Sequence, residues 1–143
     1  MSPGHSLARL RALHPAERRL LLLALFLLPA YSAGLRLRGL RRARRWFRTL
    51  PAIAGATPAQ AERMVALAVR RGPWRASCLP AALTLQRLLA AQGVEAELRL
   101  GVRKAGVSLE AHAWLEREGI PILDIGGGPG SFGALERAAA PSP

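Results

Sequence analysis

An α+β fold is predicted for this chain of 143 residues by three observations. Apolar residues follow helical spacing as far as Gly93. Strict two-residue alternation then takes over at Val94. After that, turn-forming residues cut the chain into short strands. The expected product is a helix packed on a small antiparallel sheet, preceded by a helical region. Two parts are distinguished by character: 1–56, Leu-rich and then Arg-rich, and 57–143, which carries the chemistry.

The stretch Leu7 to Leu50 is helical in pattern. Its apolar run goes from Leu20 to Leu28 and is ended by Pro29. Extended to Ala33 the run is 14 residues, short of the roughly 20 that a spanning helix needs. It therefore reads as a buried helix, with membrane association not favoured. A basic stretch precedes it, but no convincing small-x-small cleavage site follows, so the chain is not read as secreted. Seven arginines then fall within the thirteen residues Arg36 to Arg48, beside Trp46 and Phe47. A solvated helix face with the two aromatics turned inward is one reading. A docking surface for an acidic peptide, a partner protein or a membrane is the other.

Thr57 and Pro58 start the next helix, as N-cap and first helical residue. Met64, Val65, Leu67 and Ala68 give it an apolar stripe, and Gly72-Pro73 stop it. A further helix begins after Ser77, carries Leu79, Leu83, Leu85, Leu88 and Leu89, and ends at Gly93. A half-buried strand is expected over 94–102, then a loop from Arg103 to Ser108. The next strand centres on His112, Glu116 to Gly119 turn the chain, and Ile120 to Ile125 form a third strand. A tail rich in Gly, Ala and Pro follows from Gly126.

Three side chains of this second part suggest thiol chemistry. Cys78, the only cysteine, falls in the first turn of its helix, where the dipole and free N–H groups favour a thiolate and can stabilise an oxyanion. His112 lies mid-strand, sharing a face with Glu110, Trp114 and Glu116. Asp124, the only aspartate, lies on the next strand ahead of Gly126-Gly127-Gly128. A hairpin between the two strands brings Asp124 towards His112. Cys78 would then be the nucleophile, His112 the base and later the acid, and Asp124 the orienting carboxylate. Each residue also has a plainer reading: a small buried hydrophobe, a surface or core histidine, a turn former.

Ser77-Cys78-Leu79-Pro80, an apolar helix to Gly93-Val94, Leu100-Gly101-Val102, Ala111-His112-Ala113-Trp114 and Leu123-Asp124 follow one another in order. This series resembles the transglutaminase-like leader peptidases of lasso-peptide biosynthesis, the family of the C-terminal half of the fused lasso B protein. It covers about a third of the chain, and the Cys-Leu and His-Ala-Trp elements are specific only together. The resemblance implies a papain/transglutaminase-like core with Cys78, His112 and Asp124 as a Cys-His-Asp triad. It implies removal of the leader from a ribosomally made precursor. It also implies a separate leader-binding protein as partner, with the ATP-dependent lasso cyclase as a further candidate. A transglutaminase-like acyl or amide transferase would use the same triad. A non-catalytic basic adaptor is the third reading.

Charge and composition bound the rest. Lys+Arg number 21 against 9 Asp+Glu, a net charge of +12, and Lys104 is the sole lysine. Such a surface attracts anions of any kind, but the interleaved pattern of a nucleic-acid module is missing. One cysteine and scattered histidines make no metal-ligand set, and no cofactor is expected. A lone cysteine suits a reducing compartment, and the chain is read as cytoplasmic.

Overall fold

The computed structural model describes residues 3–46, 50–74, 76–123 and 133–137; of residues 3, 5, 6, 103, 105 and 133–137 it describes the backbone alone. Four helices come first, α1 (Pro3–Ala12), α2 (Pro15–Ala43), α3 (Pro58–Arg71) and α4 (Cys78–Ala91). Among the described residues four strands follow, β1 (Glu97–Ala105), β2 (Ser108–Arg117), β3 (Ile120–Ile122) and β4 (Gly133–Arg137). The sheet is antiparallel, in the order β3-β2-β1-β4. Helices α2, α3 and α4 pack on one another, and α4 covers β1 and β2. This is the α+β arrangement of a papain/transglutaminase-like core: one layer of helices, one small sheet, and α4 between them.

Helix α2 differs most from expectation. It starts at Pro15 behind the exposed His14, which serves as its cap. His14 Nδ1 accepts the Ala16 N–H at 3.3 Å, and Glu17 reaches back to the His14 N–H at 3.2 Å. The helix then runs through Pro29 and on to Ala43. Proline removes one backbone donor, a modest defect beside the burial of the opposite face. Leu20, Ala24, Leu27, Leu28 and Tyr31 recur at three- and four-residue intervals and are almost wholly buried. The regular path breaks later, at Gly39, whose φ of 73° only glycine adopts freely. Gly34 is small for another reason. A Cβ there would lie 2.7 Å from the Trp46 ring, which folds back over the helix.

The expected burial of the apolar run holds for one face only. Leu22 and Phe26 remain 64% and 59% exposed on the other, and α2 is long and apolar enough to cross a membrane. Along the basic cluster Arg36, Arg38, Arg41, Arg42 and Arg45 are exposed and Trp46 is half-buried. Phe47 and Arg48 fall outside the described residues.

Polar ties join the helices. Glu17 on α2 pairs with Arg63 on α3. Arg87 on α4 donates to the Arg44 carbonyl at the end of α2, at 3.1 Å, and hydrogen-bonds Tyr31. A cation at a helix C-terminus meets both its dipole and its orphan carbonyls. Helix α3 has the capping box expected at Thr57, with Gln60 completing it. Helix α4 is buried on nearly every side from Pro80 to Leu89, as a helix sandwiched between layers must be.

Two tight turns order the sheet. Gly106 (φ 64°) opens a two-residue turn between Ala105 and Ser108, replacing the longer loop expected there. Positive φ at the first central residue suits glycine and matches strand twist. Glu118 and Gly119 (φ 53° and 77°) make the second turn, of the type that needs positive φ twice. Strand β4 pairs with the outer edge of β1 and was not anticipated in the Gly- and Ala-rich tail.

Candidate active site

Cys78 is the first residue of α4, with Ser77 at the N-cap position; the serine side chain makes no capping bond. The first-turn amides of α4 therefore remain directed at the space in front of the helix. The thiol is half-buried. Its Sγ accepts the backbone N–H of Ala113 at 3.4 Å, within the longer range of sulfur acceptors. Cys78 thus touches β2 at the peptide that joins His112 to Ala113.

The pairing of β2 explains why that amide is available. Among the described residues, strand β3 pairs with Leu115, Glu116 and Arg117. In an antiparallel ladder, alternate residues direct their N–H to the same edge. The edge that β3 occupies at Leu115 is met by Cys78 at Ala113. The start of α4 thus lies against that edge of β2.

His112 is 5% exposed and pairs across the sheet with Gly101. Its ring stacks on Trp114, two residues along the same face, with centroids 5.8 Å apart and planes at 21°. The Trp114 Nε1–H donates to Glu116 Oε1 at 3.1 Å, and Arg99 Nε donates to Glu116 Oε2 at 2.8 Å. Glu97 lies 3.6 Å from the same guanidinium. A continuous chain of contacts therefore runs from the imidazole through indole and carboxylate to Arg99. Ala113 and Leu115, on the alternate face, belong to the hydrophobic core under α4.

Of the three sequence-derived candidates, the structure brings the Cys78 thiol and the His112 backbone together. Asp124 lies outside the described residues. The chain leading to it is described as far as Leu123, whose φ of 53° ends the extended run of β3. Arg99 was missed by sequence reasoning. It stands opposite Trp114, and only the two-residue turn at Gly106 sets that register.

A reactive residue type at a helix start, held against a histidine-bearing strand of an antiparallel sheet, defines the class of papain- and transglutaminase-like folds. The comparison with protein families agrees: the chain belongs to the transglutaminase-like superfamily, whose model matches residues 21–137. The match begins inside α2 and takes in all four strands. Members of that superfamily include cysteine peptidases and transferases, and most are catalytic. No curated protein and no solved structure matches the chain significantly.

Proposed function

We propose that the chain is a cysteine peptidase that removes the leader from a lasso-peptide precursor. The observation that carries the reading is the contact of the Cys78 thiol with the Ala113 amide, which seats the start of α4 beside His112. Superfamily membership supports thiol acyl chemistry, and the resemblance of the Cys-Leu and His-Ala-Trp elements supports the substrate.

In this reading His112 takes the Cys78 proton and the thiolate attacks the carbonyl at the end of the leader. The tetrahedral oxyanion is met by N–H groups at the start of α4. The C–N bond breaks, His112 gives its proton to the departing amine of the core peptide, and a thioester remains. Water, deprotonated by His112, releases the leader acid and restores the thiol. Asp124 serves as the third member, orienting the imidazole and stabilising its charged form. The peptidase works in the cytoplasm beside a separate leader-binding protein, which presents the precursor to it. The ATP-dependent cyclase is the further partner.

The test is a mass-spectrometric assay of precursor mixed with this chain and the leader-binding protein, with the thiol reduced. A single cut at the leader–core junction, absent in Cys78→Ala, is the expected result. No cut by the unaltered chain overturns the reading. A product in which an added amine replaces water would assign acyl transfer instead.

A further inference from the structure

We propose that the outer face of α2 is a docking surface for an anionic lipid bilayer. The proposal does not depend on the peptidase reading.

Residues 20–35 contain no charged side chain. Most of that stretch packs in or against the core with α3 and α4. One side of the helix stays exposed. Leu22, Phe26 and Leu37 are 64%, 59% and 78% exposed, and Ala33 between them is exposed as well. Steps of four, seven and four residues put these four on one side of a helix. At 1.5 Å per residue they form an apolar strip about 22 Å long. Beside its first turns lies an open depression of about 500 Å³, lined by Leu22, Leu23, Pro51, Ala52, Ile53 and Arg19. Exposed arginines stand at both ends of the strip, Arg18 and Arg19 before Leu22, Arg36 and Arg38 on either side of Leu37.

The charge decides the occupant. The first 61 residues hold eleven arginines and a single acid, Glu17, and Glu17 is buried and paired with Arg63. A second copy of the chain would bring the same cationic flanks against these. An acidic protein would match the arginines but not the four uncharged turns between them. An anionic bilayer matches both: phosphates at the level of the arginines, and acyl carbons for Leu22 and Phe26. The inner face of α2 belongs to the protein core, so the helix lies along the membrane surface and does not cross it.

The full chain would be tested by flotation with vesicles of phosphatidylcholine alone and of phosphatidylcholine and phosphatidylglycerol in equal parts. Partition is expected to be about tenfold or more stronger on the anionic vesicles and to fall as salt is raised. The double variant Leu22→Ser with Phe26→Ser alters exposed side chains only. It should keep its circular dichroism spectrum and lose about tenfold in partition. Arg36→Glu with Arg38→Glu should lose a similar factor on anionic vesicles alone. Equal partition onto both vesicles, no binding to either, or full retention by Leu22→Ser with Phe26→Ser overturns the proposal and leaves the strip to a protein partner. Resistance of the bound chain to alkaline carbonate extraction overturns it too, in favour of a spanning helix.

Discussion

At the scale of single residues, His112 owes its setting to Trp114 and Glu116, on its own side of β2. The ring stacks on the indole, the indole N–H is held by Glu116, and Glu116 is held by Arg99. Glu116→Ala strips two half-buried donors of their acceptor at once. It should cost about 1–3 kcal/mol of stability in urea unfolding. In the processing assay it should lower kcat with KM little changed, because it loosens the base and leaves the binding surface alone. Glu116→Gln keeps one acceptor oxygen and should recover part of both losses; equal loss in the two variants would refute the positioning role. Gly34 offers a steric test. A Cβ there meets the Trp46 ring at 2.7 Å, so Gly34→Ala should destabilise by about 1–3 kcal/mol through overpacking, despite alanine's better helix propensity. Adding Trp46→Ala should convert that loss into a relative gain, read from the same unfolding curves.

At the scale of elements, the structure was legible in the sequence wherever local chemistry dictates it. Thr57-Pro58 with Gln60, and Gly93 after α4, carry their caps in their own residue types. Glu118-Gly119 carries its turn in the same way. The turn at Gly106 was read too long because the strand end beside it is exposed, at Ser108, Leu109 and Glu110. Without burial there is no alternation to read. The register that stands Arg99 opposite Trp114, and the pairing of β4 with β1, are non-local and leave no periodic trace. The positive φ of Glu118 still costs the protein something. Glu118→Asn should stabilise by about 0.5–1 kcal/mol, seen as a raised urea midpoint with an unchanged slope. Between α2 and α4, burial raises the Tyr31 hydroxyl above its ordinary 10.0, against an opposing pull from Arg87. The neutral phenol is thus the form the folded state favours. Its contribution is complete below pH 10 and declines as pH climbs through the folded value. Tyr31→Phe should lose about 1 kcal/mol at neutral pH with its hydrogen bond. It should also unfold less steeply than the unaltered chain above pH 10.

At the scale of the whole molecule, one hydrophobic core serves both the helices and the sheet. Leu20, Leu27 and Leu28 from α2 join Val65 from α3, Leu85 and Leu88 from α4, and Leu98 and Leu115 from the sheet, all nearly or wholly buried. The superfamily match agrees in starting within α2, at residue 21. The half of the chain with the chemistry therefore leans on the half without it. Helix α4, whose first residue is Cys78, is covered by β1 and β2 on one side and by α2 and α3 on the other. A chain beginning at Thr57 would keep every candidate site residue and lose the α2 wall of that enclosure. Apolar surface on α3 and α4 would then face water at roughly 25 cal/mol per Å², a burden that the few kcal/mol of net stability in a small domain cannot absorb. The shortened chain should show no cooperative thermal transition. Its thiol should react with a disulfide reagent as fast as a free cysteine does. The full chain should unfold in one transition, with far-ultraviolet dichroism and tryptophan fluorescence superimposing. If the shortened chain instead unfolds cooperatively and keeps its thiol protected, α2 is an appendage and the sheet and α4 sustain a core by themselves.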